Sequence, residues 1–296
     1  MKTLFGSIEA GGTKFVCAVG DETLAIVDKV QFPTTSPKET IGRTIAYFKQ
    51  FEADLASIAI GSFGPIDIDP KSATYGYITT TPKPGWANVD LLGQLTAAFA
   101  IPFYVTTDVN SSAYGEAISR PDVDSLVYYT IGTGIGAGAI QKGEFIGGLG
   151  HTEAGHTYMM LHSDDVANAF LGVCPFHRGC LEGMAAAAGP SLEARTGIKG
   201  ELLDQKAAVW DIQAFYIAQA AVQATLLYRP QVIVFGGGVM AQEHMLVRVQ
   251  EAFTRLINGY LPVADVREYL VTPAVAGNGS ATLGNFALAK LIAEKS

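Results

Sequence analysis

The sequence predicts an α/β protein made of two copies of one order of elements, βββαβαβα. A glycine-threonine turn at 10–13 lies between two apolar runs, and a second turn at 132–134 also lies between two. Apolar runs joined by a short glycine turn are typical of β-hairpins. Helical and strand patterns follow each hairpin in the same order. We therefore expect a duplicated α/β domain, with a ligand cleft between the copies.

The elements of the first copy can be placed in order. We predict strands at 4–9, 14–20, 24–32, 56–61 and 102–107, and helices beginning at 37, 89 and 110. The first helix has a clear start, because Ser36 can cap it, Pro37 suits its first position and Glu39 follows three residues after the cap. The joint Arg120-Pro121-Asp122 predicts a first lobe of residues 1–119.

The second copy repeats this order after a long insertion. We predict hairpin strands within 125–141, helices at 181–196 and 204–228, a strand at 231–235, a helix from 240, a strand at 269–271 and a last helix from 281. The last helix, 281–296, has an apolar face that can pack back on the first lobe. The second lobe is therefore expected to span 120–280, with the insertion at about 150–182.

Composition excludes several classes of protein. The chain has 296 residues, 49% of them hydrophobic, which is enough for a large core. Its net charge of −8 disfavours a general binder of nucleic acid or of anionic membranes. We find no apolar run long enough to span a membrane and no signal peptide, and three cysteines do not make a disulfide framework. Cytoplasmic residence is the expectation.

The two glycine-threonine turns are candidate phosphate sites, although either turn alone is more simply an ordinary hairpin. Backbone N–H groups and a threonine hydroxyl can hold phosphate oxygens. The candidates are Gly11, Gly12 and Thr13 in the first turn, and Thr133 and Gly134 in the second. Beside the first turn, Glu9 can hold a hydrated Mg²⁺ and Lys14 can neutralise phosphate charge. Together the turns predict a site for a nucleoside triphosphate, and the P-loop motif is absent.

A third glycine cluster, Gly236-Gly237-Gly238-Val239-Met240, follows an apolar strand. It fits the G-x-G-x-x-A pattern and so leaves open a nicotinamide-dependent oxidoreductase. A glycine-rich helix start beneath adenosine or its α-phosphate uses the same physics, and we favour that interpretation.

A cluster of metal-ligand residue types lies in the insertion. His156, Cys174, His177 and Cys180 form the spacing H-x17-C-x2-H-x2-C, and thiolates with imidazoles suit tetrahedral zinc. Four protein ligands leave no open position, so we expect a structural zinc that staples this loop. His162 is an alternative ligand. A loop with incidental Cys and His, or a Cys174–Cys180 disulfide, is the competing interpretation.

Three carboxylates are candidates for chemistry on a hydroxyl. Asp108 stands between a buried strand and a helix, at the edge of the sheet where α/β proteins bind ligands. It can take the proton from a hydroxyl that attacks a γ-phosphate, although it can also be a simple N-cap. Glu153 and Glu182 flank the metal cluster and can accept hydrogen bonds from vicinal hydroxyls; otherwise they are surface acids.

These motifs jointly resemble the ROK family (repressors, open reading frames and sugar kinases), in particular its bacterial fructokinase branch. The resemblance covers essentially the whole chain. It rests on Glu9–Lys14, Gly61-Ser-Phe-Gly-Pro65, Thr107-Asp-Val-Asn110, Ile131–Gly136, Glu153-Ala-Gly-His156, Cys174–Glu182 and Gly236–Met240.

The resemblance implies an actin-like ATPase (ribonuclease H-like) fold, MgATP-dependent phosphorylation of a hexose, and a dimer. It matches Asp108 to the catalytic base. It matches substrate and nucleotide contacts to two further sets: Gly64, Thr107, Asn110, Glu153, His156 and Glu182 for the hexose, and Thr133, Pro190 and 236–240 for ATP. His156 can serve both metal and sugar. D-fructose, giving fructose 6-phosphate, is the expected substrate.

The chain departs from the family pattern at three positions. Glu9 stands where Asp is commoner, Thr107 where Asn is common, and His177 where a third zinc-binding Cys is common. The second departure leaves glucose, mannose and N-acetylated hexoses open as substrates. A non-catalytic sugar sensor is a further alternative, which the intact Asp108 and the lack of room for a DNA-binding domain before residue 8 disfavour.

Overall fold

The computed structural model describes residues 3–186, 190–263 and 265–296. The chain divides into two compact units. The first contains 1–121, 145–151 and 275–296, and the second contains 122–144 and 152–274. Within the described residues, no helix is both long and apolar enough to traverse a bilayer.

The first unit is built on a five-stranded sheet. Its elements are β1 (Leu4–Ala10), β2 (Lys14–Gly20), β3 (Ile26–Pro33), α1 (Pro37–Phe48), β4 (Leu55–Ser62), the short β5 (Tyr77–Ile78) and β6 (Val89–Asp90), α2 (Leu91–Thr96), β7 (Phe103–Thr107) and α3 (Asp108–Ile118), and the last helix of the chain, Ser280–Lys295, also belongs to it. The sheet order is β3-β2-β1-β4-β7. The β1–β2 and β2–β3 pairs are antiparallel, and β1, β4 and β7 run parallel.

Alternation along β1 divides the core of this unit between the two faces of the sheet. Ile8 belongs to a large apolar cluster with Phe48 and Trp86. Phe5 belongs to a second cluster with Phe286 of the last helix. Successive side chains of a strand point to opposite faces, so helices cover both sides of this sheet.

The second unit repeats the sheet. Its elements are β8 (Leu126–Ile131), β9 (Ile135–Gln141), β10 (Glu144–Phe145), α4 (Ser163–Ala167), α5 (Leu181–Ala185), α6 (Pro190–Thr196), α7 (Val209–Tyr228), β11 (Val232–Gly236), α8 (Glu243–Ile257), α9 (Val266–Tyr269) and β12 (Leu270–Val271). The last helix of the chain, which belongs to the first unit, is α10 (Ser280–Lys295). The strand order β10-β9-β8-β11-β12 matches the first sheet position by position. The predicted duplication is therefore confirmed.

Several element boundaries differ from those predicted. The helix predicted over 181–196 is two helices, because Ala186 has extended backbone and ends α5; residues 187–189 lie outside the described residues. The helix predicted from 240 begins at Glu243, since the preceding residues form a turn. The helix predicted from 110 begins at Asp108, because the Thr107 side chain caps it.

Candidate active site

The parallel strands of the first unit end at one level. Ser62 of β4 is aligned with Ala10 of β1 and with Thr107 of β7. The residues just beyond these strand ends therefore share one edge of the sheet, where α/β proteins bind ligands. Gly64, two residues past β4, is exposed at this edge.

A cavity of about 200 Å³ brings together the residues of the first unit that were predicted to bind phosphate and Mg²⁺ and to act as the base; Gly64, Thr107 and Asn110 do not line it. It is lined by Glu9, Ala10, Gly11, Gly12, Thr13, Lys14, Val16 and Asp108. The first glycine turn, the two acids Glu9 and Asp108, and Lys14 therefore line one small cavity. Gly11 N–H donates to the Lys14 carbonyl at 3.0 Å and closes the turn.

Asp108 lies in the first turn of α3 and is half-buried. The N-cap is Thr107, whose hydroxyl accepts from Asn110 N–H at 3.1 Å. Asp108 Oδ1 accepts from Val109 N–H at 2.9 Å. The simple N-cap interpretation of Asp108 is therefore wrong. Its carboxylate lies at the positive end of a helix dipole and lines the cavity.

Asn110 follows Asp108 by two residues in α3 and is fully buried. Its amide nitrogen donates to Thr106 Oγ1 at 3.0 Å and to the Gly150 carbonyl at 2.8 Å. Its Oδ1 is buried and has no partner among the described residues. An orphaned acceptor of this kind can receive a hydrogen bond from a ligand hydroxyl.

Glu9 is a half-buried acid of this cavity with a shifted pKa. Burial raises the pKa of Glu9, while a hydrogen bond from Thr282 and the charges of Lys29 and Lys14 lower it in part. The Lys14 ammonium donates to Gln31 Oε1 at 3.3 Å. A half-buried carboxylate beside a glycine turn and a lysine fits a hydrated Mg²⁺, which prefers oxygen ligands and retains waters.

The second glycine turn and the third glycine cluster pack against each other in the second unit. Val239 N–H donates to the Ile131 carbonyl at 3.1 Å, directly before the turn. Gly237 has a φ of +89°, and a Cβ there would lie 2.4 Å from the Ile131 oxygen, so only glycine fits. Gly132 N–H donates to the Gly134 carbonyl at 3.0 Å, and Thr133 between them is exposed.

A cavity of about 140 Å³ lies beside this packed pair of turns. It is lined by Gly132, Leu192, Gly200, Glu201, Trp210, Gly238, Val239 and Gln242. Gly236 and Met240, at the two ends of the third glycine cluster, are buried. Pro190 begins α6, the helix that contributes Leu192. Sequence reasoning missed the apolar wall of this cavity, because nothing local distinguishes Trp210 or Leu192 from ordinary core residues.

The four predicted metal ligands lie together. The ligand atoms of His156, Cys174, His177 and Cys180 are all within 4.8 Å of one another. His156 Nδ1 lies 3.8 Å from Sγ of both cysteines, and His177 Nδ1 lies 3.9 Å from Cys174 Sγ. Zinc–sulfur bonds of about 2.3 Å and zinc–nitrogen bonds of about 2.0 Å fit such a tetrahedron. His162 is not part of it: it caps α4 and its ring packs on Phe215.

Glu182 connects this cluster to the second glycine turn. Its Oε2 accepts from Ile135 N–H at 3.0 Å, and its Oε1 lies 3.9 Å from His156 Nε2. Glu153 precedes the short helical turn Ala154–His156 and is exposed. Both acids therefore flank the cluster in space, but Glu182 already has a backbone partner.

The two five-stranded sheets, with the same strand order, define an actin-like ATPase fold. The chain belongs to the ROK family, whose model matches residues 5–292. It is 74% identical to a fructokinase of Streptococcus mutans over the full length of both chains, and 54% identical to a fructokinase of Lactococcus lactis over 98% of each. A ROK hexokinase structure from Thermus thermophilus has the same fold, with a TM-score of 0.79 at 24% identity and full coverage of both chains.

Proposed function

We propose that this chain is an ATP-dependent hexose kinase that converts D-fructose to fructose 6-phosphate. The observation that supports this is the cavity of the first unit, which is lined by Asp108, Glu9 and the Gly11–Thr13 turn. Two relatives named fructokinase that match at 74% and 54% identity favour fructose, whereas a relative named glucokinase matches at 25%.

Each group of the cavity has a role in phosphoryl transfer. Asp108 takes the proton from the 6-hydroxyl of the sugar as that oxygen attacks the γ-phosphate. Glu9 accepts hydrogen bonds from the waters of Mg²⁺, and the Gly11–Thr13 turn donates its N–H groups to phosphate oxygens. When bound, Mg²⁺ offsets the charge of the transferring phosphoryl group. Lys14 adds a further positive charge.

We propose that the sugar is held by polar groups that can exchange hydrogen bonds with its hydroxyls. Asn110 Oδ1 is a buried acceptor without a described partner. Glu153 and Glu182 supply carboxylates for vicinal hydroxyls, and His156 presents its Nε2 edge on the same side as Glu182. Gly64 adds backbone groups at an exposed edge. Thr107 acts first as the cap of α3, so its contact with the sugar is secondary.

The second unit binds the rest of the nucleotide. Thr133 and Gly134 donate to phosphates, and the cavity beside Gly238 takes the adenine against the apolar wall of Trp210. The turn 236–240 contributes Gly238 and Val239 to this cavity, and Pro190 begins the helix that contributes Leu192. The G-x-G-x-x-A match is thus assigned to ATP. We propose residues 1–119, with the last helix over 281–296, as one lobe and residues 120–280 as the other.

Zinc is the proposed occupant of the Cys/His cluster, in a structural role. We also propose that the chain forms a homodimer and is cytoplasmic. An exposed apolar surface supports the dimer. Tyr158 and Phe176 are 68% and 81% exposed, and Gln223 of α7 donates to the Tyr158 carbonyl. Leu227, one turn further along α7, is 71% exposed. Apolar surface of this kind marks protein interfaces.

The function is tested by ADP release from MgATP with fructose, glucose, mannose, N-acetylglucosamine and N-acetylmannosamine. We expect turnover that depends on fructose. Turnover on another hexose would keep the mechanism and change the substrate. ATP binding without turnover on any sugar would favour the non-catalytic sugar sensor.

The proposed dimer is tested by sedimentation velocity. Leu227→Lys should yield monomers, while Val247→Lys, on the exposed face of α8, should not.

A further inference from the structure

The backbone of Ile135, at the end of the second glycine turn, is held on both sides by the metal-binding segment. Its N–H donates to Glu182 Oε2 at 3.0 Å. Its carbonyl oxygen meets Gly155, where a Cβ would lie 1.8 Å away. Gly155 directly precedes the metal ligand His156, and Glu182 follows the ligand Cys180 by two residues. The first residue of β9 therefore contacts two segments that carry metal ligands.

The two nitrogens of His156 face different partners. Nδ1 lies 3.8 Å from the sulfurs of Cys174 and Cys180, whereas Nε2 lies 3.9 Å from Glu182 Oε1. A histidine that binds a metal through one nitrogen usually presents its other N–H to a carboxylate, which fixes the ring. Glu182 is placed to accept from that N–H with one oxygen and from Ile135 with the other.

We infer that Glu182 is a positioning residue that couples metal occupancy to nucleotide affinity through the Gly132–Gly134 turn. The inference rests on the proposed function, since it takes that turn as a phosphate site. With metal on Nδ1, the His156 ring is fixed, Glu182 is oriented, and the Ile135 N–H is occupied. Thr133 and Gly134 then present their N–H groups in one arrangement. Without metal, the carboxylate and the turn lose this restraint.

Coupling of this kind is reciprocal, because metal and nucleotide stabilise the same arrangement of the turn. A coupling between two sites is commonly about five- to 150-fold in affinity. We expect zinc to tighten ADP binding by a factor in this range. By the same factor, bound ADP should raise the equilibrium affinity of the protein for zinc.

The test compares ADP dissociation constants, measured by calorimetry without sugar, for zinc-loaded and zinc-stripped protein. Glu182→Gln keeps one acceptor oxygen and replaces the other with an NH2 donor, so it cannot accept at both of the positions that face Ile135 and His156. We expect zinc to tighten ADP binding at least about fivefold in the wild type and by less than about twofold in Glu182→Gln. Glu251→Gln, an equal charge change on the exposed face of α8, should retain the wild-type difference.

A second measurement requires no variant. At equilibrium with a competing chelator, the wild type should retain more zinc when ADP is saturating than when ADP is absent. Equal ADP affinity with and without zinc in the wild type, or an unchanged zinc effect in Glu182→Gln, would overturn the inference alone. If zinc-loaded wild type binds no ADP at all, the proposed function fails with it, so the two failures are distinguishable.

Discussion

The Thr282 hydroxyl donates a hydrogen bond to Glu9 Oε1, which joins the last helix of the chain to its first strand. Asn285, one turn further along α10, donates to Ser7 Oγ at 3.1 Å and to the Ile8 carbonyl at 3.2 Å. It also accepts from Ser111 of α3 at 2.6 Å. The helix α10 therefore supports both the strand that carries Glu9 and the helix that carries Asp108.

Replacement of Thr282 should weaken magnesium activation. Thr282→Val keeps the shape of the side chain but removes the donor, and a hydrogen bond to a charged group contributes about 1.5–3 kcal/mol. We expect the Mg²⁺ concentration for half-maximal activity to rise on the order of tenfold. Thr282→Ser keeps the hydroxyl and should restore the wild-type value. Equal magnesium dependence in both variants would show that the contact is only structural.

Glu9→Gln should change the pH dependence of stability in a defined direction. Burial raises the pKa of Glu9 above its ordinary value of 4.5, so the native state holds this proton to higher pH than the unfolded chain does. The free energy of unfolding therefore loses a contribution as pH rises above 4.5 through the native pKa. Glutamine does not titrate. The stability of Glu9→Gln relative to wild type should increase from pH 4 toward pH 7.

Chemical denaturation across this pH range measures the effect, with Glu251→Gln as the control for one lost surface charge. If the free energy of unfolding changed equally with pH in the wild type and in Glu9→Gln, the raised pKa of Glu9 would be contradicted. The variant should also lose most magnesium-dependent activity, so a gain in stability would accompany a loss of function.

Asp108→Asn should lower kcat at least about a hundredfold while ATP still binds. Asparagine retains the shape and the acceptor for Val109 N–H, so the first turn of α3 should persist. Asp164→Asn is a matched control, because Asp164 is an exposed aspartate in the first turn of α4. Steady-state kinetics and a nucleotide titration decide the point; turnover near the wild-type rate would exclude Asp108 as the base.

The metal cluster should hold one zinc ion per chain. Cys174→Ser should reduce the zinc content measured by elemental analysis and lower the melting temperature, because one thiolate ligand is lost. The Cys17→Ala variant should retain the zinc content of the wild type. Cys17 is buried in β2 and hydrogen-bonds to Thr44, outside the cluster. A fully active wild-type preparation without metal would contradict the structural role.

The sequence could predict the local chemistry wherever one short segment carries it. The Gly11–Thr13 turn, the zinc-type spacing from Cys174 to Cys180 and the strand–helix junction at Asp108 each have a recognisable pattern. The duplicated order of elements could be predicted for the same reason, because hydrophobic periodicity is local. Boundaries were less accessible: Thr107 and Asp108 can both cap a helix, and only the extended backbone of Thr107 decides between them.

The sequence by itself determined the fold class, the family and the types of groups available to the site. Only the tertiary structure decided which of those groups meet. Thr282 reaches Glu9, and Glu182 reaches both Ile135 and His156, across long stretches of chain. Trp210 and Leu192 form a wall beside Gly238 in the same way. Such contacts depend on how helices pack on sheets, and a pattern within one segment holds no record of the surface it packs against.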